Sequence, residues 1–141
     1  MKTTSQILRK HKEIEEQQSN LYSLLAEKHS EHNEAFNNLA EECMKHMERA
    51  QRAYREGVTD AFEVGFQMNP LQPEYYMLHE PEGSLKNSVR TMIDNEETII
   101  KFCHDIASNS GNLLPGVPET FERLAKRKIR NIKRLREING D

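Results

Sequence analysis

The sequence contains no tryptophan and only two cysteines, Cys43 and Cys103. Two cysteines exclude a disulfide framework and a four-cysteine zinc site. With four Tyr and five Phe in 141 residues, the core has to be mostly aliphatic. No apolar run reaches the length of about eighteen residues that a membrane-spanning helix needs. The opening MKTTSQILRK lacks the apolar middle of a secretion signal, so a cytoplasmic location is expected. Net charge is only −3, so no global field draws the chain to nucleic acid. With 30% charged and 35% apolar residues, what remains is one soluble domain with a modest core.

Helix breakers are absent from three long windows. The six Gly and five Pro lie at 57, 65, 70, 73, 81, 83, 111, 115, 116, 118 and 140, and none falls in 1–56, 84–110 or 119–139. Those windows are rich in Glu, Lys, Leu, Ala, Gln and Met, all good helix formers. As one rod the first would run about 84 Å at 1.5 Å per residue. That is too long for this domain, so a break is expected near 29–33, with Ser30 or Asn33 capping a second helix. Ser84 and Pro118-Glu119 mark two further helix starts. The reading is all-α: four helices at roughly 4–29, 33–67, 84–109 and 118–138 in a single domain spanning 1–141. The proline-broken segment 68–83 is one long crossover between helices two and three of a four-helix bundle.

Apolar spacing adds an internal repeat. Phe36, Ala40, Cys43, Met47 and Ala50 follow intervals of four and three, one stripe on a helix. Phe121, Ala125, Lys128, Ile132 and Leu135 repeat those intervals 85 positions later, with His46 and Asn131 on matching flanks. At an offset of 81, Leu8, His11, Glu15, Tyr22 and Ala26 pair with Val89, Met92, Glu96, Cys103 and Ala107. The repeat places Glu96 and Lys128 in the middle of apolar stripes and Glu15 slightly nearer an edge. An unpaired ionised group there costs several kcal/mol, so each needs a partner or a metal. Polar residues at matched positions on four helices point to one shared layer.

These residues resemble the half-repeat of ferritin-like proteins, above all rubrerythrins. The pattern is a Glu seven before a Tyr and eleven before an Ala, then Phe-x-x-Leu-Ala-x-x-Glu-x-x-His. The chain offers Glu15, Tyr22 and Ala26, then Phe36, Leu39, Ala40, Cys43 and His46. Its second half offers Glu96, Cys103 and Ala107, then Phe121, Leu124, Ala125, Lys128 and Asn131. YREGVTDAFEVGF and LLPGVPETFERLAKRK look like segments of a rubrerythrin-related branch without the rubredoxin tail. The resemblance implies a ferritin-like bundle, and in that family the matching carboxylates and Glu-x-x-His pairs hold two irons that react with peroxide or dioxygen. Carried over, Glu15 and Glu96 stand at the carboxylates of helices one and three, and His46 at the helix-two histidine. Cys43 and Lys128 replace the bridging Glu residues, and Asn131 replaces the helix-four His. The diiron ligand set is thus incomplete.

Two functional readings follow. In the favoured one the Lys128 ammonium supplies positive charge among the carboxylates, so that Glu15, Glu96 and Lys128 form an ion-paired core layer in a non-catalytic protein. In the alternative, Glu15, Cys43 and His46, with Glu96 as a fourth ligand if Lys128 points away, hold a single Fe²⁺ or Zn²⁺, a pair of irons being less expected, and act on peroxide or iron. No cofactor is favoured, and whether the protein is an enzyme stays open. His11, one turn before Glu15, is either a partner of it or merely packed, and Glu42 is read as an exposed acidic flank. Cys43 and Cys103 read as packed thiols. The basic run Lys126, Arg127, Lys128, Arg130, Lys133, Arg134 and Arg136 reads as a solvated face balanced by Glu13, Glu15, Glu16 and the start of helix two. Nucleic acid is not the expected partner. Tyr75, Tyr76 and Met77 with Leu71 are expected to seal the crossover onto the bundle, a dimer contact being the other option. A homodimer is expected because ferritin-like relatives commonly self-associate.

Overall fold

A computed structural model describes residues 4–57, 72–110 and 116–141. It contains four long helices: α1 (Thr4–Lys28), α2 (Asn33–Gly57), α3 (Leu85–Ser110) and α4 (Val117–Ile138). No strand occurs among the described residues, and no helix there is long and apolar enough to cross a membrane. The helix boundaries agree with the glycine and proline spacing to within a residue, except that the expected stretch 58–67 of the second helix lies outside the described residues.

Each boundary has a local cause. Between α1 and α2 a short 3-10 turn at Ser30–His32 breaks the would-be rod. Asn33 does not cap α2: its backbone is already helical, and its side-chain oxygen accepts from the Asn37 amide instead. Ser84 does cap α3, its Oγ accepting the Asn87 backbone N–H at 3.2 Å. Gly116, at a left-handed φ of +83°, precedes α4, and Pro118 sits in the first turn, where its missing N–H costs nothing.

The helices form two hairpins, α1 against α2 and α3 against α4. The hairpins join through α2–α4 and α1–α3 contacts, which leaves α1 and α4 on a diagonal. Neighbours run antiparallel. Along α1 and α3, Lys28 Nζ reaches the Gly83 carbonyl at one end, Gln18 meets Asn95 midway, and His11 stacks with Phe102 at the other. The described part of the expected crossover, 72–83, lies along α3 in the reverse direction. Tyr76 Oη donates to Asp105, and the Asn95 side chain brackets His79, accepting its N–H and donating to its carbonyl, both at 2.9 Å. Only part of the expected seal holds: Tyr76 and Leu78 are buried, whereas Tyr75 and Met77 point outward at 69% and 59% exposure. Tyr75 lies in the short 3-10 turn Pro73–Tyr76, whose last residue turns inward, and the extended backbone at Met77 puts its side chain on the face opposite to Tyr76 and Leu78. Leu71 lies outside the described residues.

The core is split in two. One apolar cluster contains Ile7, Ile14, Ala50, Phe102, Cys103 and Phe121. The other contains Leu21, Tyr22, Phe36, Cys43, Met92 and Leu135. Between them, along every helix, lies a band of buried polar side chains. All the residues of the α1–α3 repeat are buried or half-buried, and so are those of the α2–α4 repeat; Met47 is the half-buried member of its stripe.

Replacing Asn95 by Ala removes both bonds to the His79 backbone. The expected cost is about 1–3 kcal/mol, with faster amide exchange at His79 and an unchanged far-UV spectrum.

Candidate functional site

The polar band is centred on Lys128, whose side chain is fully buried. Its Nζ lies 2.6 Å from Glu15 Oε1 and 3.1 Å from Glu96 Oε2, bridging α1 and α3 from α4. Glu96 is the better satisfied carboxyl group. Its Oε2 accepts from Lys128, and its Oε1 accepts from Tyr22 Oη at 2.7 Å and Gln18 Nε2 at 3.4 Å. Glu15 is held by charge contacts. Its Oε2 faces His11 Nε2 at 3.2 Å and His46 Nδ1 at 3.7 Å. These approaches are close but poorly aligned, so neither Glu15 oxygen and no nitrogen of His11 or His46 has a hydrogen-bond partner.

Helical spacing explains the convergence. His11, Glu15, Gln18 and Tyr22 follow four, three and four along α1, so they share one face. Met92, Asn95, Glu96 and Ile99, spaced three, one and three, likewise fall on one face of α3. His11 is thus a direct partner of Glu15, wedged against the rings of Phe102 and Phe121. Glu42 is not a detached flank: although partly exposed, its Oε2 lies 3.7 Å from His46 Nε2, so His46 stands between two carboxyl groups. The residues that spacing analysis passed over are Gln18 and Asn95. Asn95 Nδ2 donates to Gln18 Oε1 at 3.1 Å, which links the central layer to the segment alongside α3. Their positions within apolar intervals, Gln18 before Tyr22 and Asn95 after Met92, were the available signal.

The electrostatics follow from burial and from one cation. Burial raises the Glu15 carboxyl, but the Lys128 ammonium, helped by the facing His11 and His46 rings, outweighs it and brings the pKa down to about 2. For Lys128 burial favours the neutral amine, and the Glu15 and Glu96 carboxyl groups override it, holding the ammonium well above its usual range. Burial, then the Lys128 charge, lowers the His46 imidazole to about 3. Burial pushes the Cys43 thiol and the Tyr22 hydroxyl well above their usual ranges. At neutral pH the layer therefore holds an ammonium, an ionised Glu15, a neutral His46, a protonated thiol and a protonated phenol. None of these five is poised to exchange a proton near pH 7.

Of the candidate residues, Glu15, Glu96 and Lys128 meet directly, and His46 joins them through Glu15. Cys43 lies in the adjoining apolar cluster, and Asn131 is buried with its Nδ2 unpartnered. As arranged, the donors do not fit a pair of irons. An ammonium nitrogen stands against both carboxyl groups that the family resemblance assigns to metal, and Cys43 is held as a thiol. Among the described residues no group of three His, Cys, Asp or Glu side chains is disposed to hold a metal ion. No protein-family model, curated protein or solved structure gives a significant match to the chain.

The pH dependence of stability has a definite sign. Glu15 ionises at about 2 when folded and near 4.5 when unfolded, so its contribution is full above pH 4.5 and is lost as pH falls toward 2. His46 binds its proton near 6.5 unfolded and only near 3 folded, so stability also declines as pH drops from 6.5. The urea midpoint is expected to fall between pH 7 and 5 in the wild type, and to fall less in His46→Gln.

Proposed function

We propose that the chain is a ferritin-like, rubrerythrin-related bundle, cytoplasmic and homodimeric, in which an ion-paired layer stands where relatives hold two irons. Its role in this reading is structural or partner-directed rather than catalytic. The observation that carries the reading is the position of Lys128 Nζ, within 3.1 Å of both Glu15 and Glu96. An ammonium there supplies the positive charge that two buried carboxyl groups need, and its presence opposes a second cation at the same point. The pKa directions support it as well, because Lys128, Glu15, Cys43, Tyr22 and His46 are all driven away from neutrality, the reverse of what acid–base or nucleophilic work requires. The antiparallel hairpins and the segment returning along α3 support the ferritin-like topology with its long crossover. The exposed Tyr75 and Met77 offer an apolar contact for a second copy.

A second reading has its own support. His46 is fully buried with both nitrogens unpartnered beside Glu15, an arrangement that a mononuclear Fe²⁺ or Zn²⁺ would satisfy. Such a site, with Glu96 or Cys43 completing it, would act on peroxide or iron.

Lys128→Met separates the two. In the ion-paired reading it strands two buried carboxyl groups and costs about 3–5 kcal/mol, most of which returns when Glu15→Gln and Glu96→Gln are added. Unchanged stability in Lys128→Met would overturn that reading. Elemental analysis of untagged protein from iron- and zinc-supplemented cells gives the complementary answer. Near-stoichiometric metal that disappears in Glu15→Ala or His46→Ala would establish the second reading.

A further inference from the structure

The arginines on the α2–α4 seam are a charged feature that the buried layer leaves unexplained. Of the acids expected to balance the basic run, Glu15 meets Lys128 in the core, and Glu41 and Glu42 of α2 lie farther along the seam with Arg134. Glu16 pairs with Lys12 on α1, diagonal to α4, and Lys128 is the only member of the basic run with an ion pair among the described residues. The cations are not evenly spread either. Arg49 and Arg52 of α2 and Arg123 and Arg127 of α4 line a cleft of about 170 Å³ whose floor is Thr120 and Leu124.

Three observations mark this cleft as more than a solvated face. First, none of its four guanidinium groups lies within ion-pairing distance of a carboxylate among the described residues. The groove farther along the same seam differs, with Glu41, Glu42 and Glu137 interleaved between Lys45 and Arg134. Second, Nη1 of Arg49 is buried without a hydrogen-bond partner, a donor already stripped of water. Third, Arg123 is oriented: its Nη2 donates to Thr120 Oγ1 at 3.3 Å, and that hydroxyl donates to the Gly116 carbonyl at 2.8 Å.

Four like charges facing one another across a recess repel, and low-dielectric walls concentrate the field of whatever sign lines them. Arginine forks match phosphoryl oxygens two at a time, better than lysines do. The volume corresponds to five or six waters at roughly 30 Å³ each, enough for one or two phosphoryl groups. We propose that this cleft is a binding site for a small multivalent phosphate of the diphosphate class, either free or as the tail of a nucleotide. The site is independent of the reading given to the buried layer.

Calorimetric titration of the full chain with inorganic pyrophosphate, and separately with ADP, tests this. Saturable one-to-one binding of pyrophosphate is expected, with a rise in the thermal midpoint of the protein. Arg52→Gln and Arg127→Gln, one on each helix of the cleft, are each expected to weaken it at least about tenfold. Lys133→Gln and Arg136→Gln, on the same helix but outside the cleft, should change it less than about twofold. ADP binding at least as tightly as pyrophosphate assigns the nucleotide source, and weaker ADP binding assigns the free anion. No saturable binding at millimolar pyrophosphate overturns the proposal. So does an equal loss in all four variants, which would mean a diffuse field. A single-stranded oligonucleotide that binds more tightly and is weakened alike by all four variants would replace it with a nucleic-acid face.

Discussion

Placing an ammonium between two carboxyl groups in a dry interior is the constraint around which this bundle is organised. Moving either partner out of water costs several kcal/mol, and mutual attraction repays that only when the geometry is held. Lys128 meets Glu15 on α1 and Glu96 on α3, so one residue of α4 ties three helices at a single level. A one-residue slip would rotate Lys128 by about 100° out of the core and strand both acids. Apolar packing alone tolerates small shifts far better than this, so the layer acts as a register mark between the two apolar clusters. Replacing a buried ion-paired layer by a hydrophobic one of equal volume is often neutral or stabilising, so net stability alone does not account for its presence.

The layer is not an isolated triad. From Glu96 the bonds pass to Tyr22 and Gln18, from Gln18 to Asn95, and from Asn95 to the backbone of His79 in the segment beside α3. The centre of the bundle is thus wired to its connecting segment by side-chain amides with donors and acceptors matched. On the α2 side the network is looser. His11 and His46 crowd Glu15 without aligned bonds, and Glu42 approaches His46 from the solvent side. Any ligand chemistry at this layer would enter there, where polar atoms are buried but unsatisfied.

Much of this was readable from residue order. Glycine and proline positions locate all four helices, and the offsets of 81 and 85 put Glu96, Cys43 and Lys128 on apolar stripes, Glu15 nearer an edge, and His46 and Asn131 on the flanks; all six are buried. Gln18 and Asn95 escaped because amides are common on exposed helix faces, and nothing local distinguishes one that points inward. Glu42 was misjudged because angular position on a helix ignores side-chain reach. Tyr75 and Met77 do not pack with Tyr76 as one block, because a 3-10 turn and then extended backbone send neighbouring side chains to different faces.

The sequence by itself determined that four amphipathic helices form and that charged residues fall on their inner stripes, because periodicity and helix breakers act within a few residues of chain. Which charges meet was decided only by tertiary structure. The Lys128 contacts with Glu15 and Glu96 depend on antiparallel packing of helices separated by 113 and 32 positions. The same holds for the arginine cleft. Among the described residues Lys128 is the one cation of α4 that pairs with an acid of α1, because the bundle sets the two helices on a diagonal, and Arg49 and Arg52 of α2 lie beside Arg123 and Arg127 instead. Coulomb energy depends on distance in space, and the fold alone sets that distance.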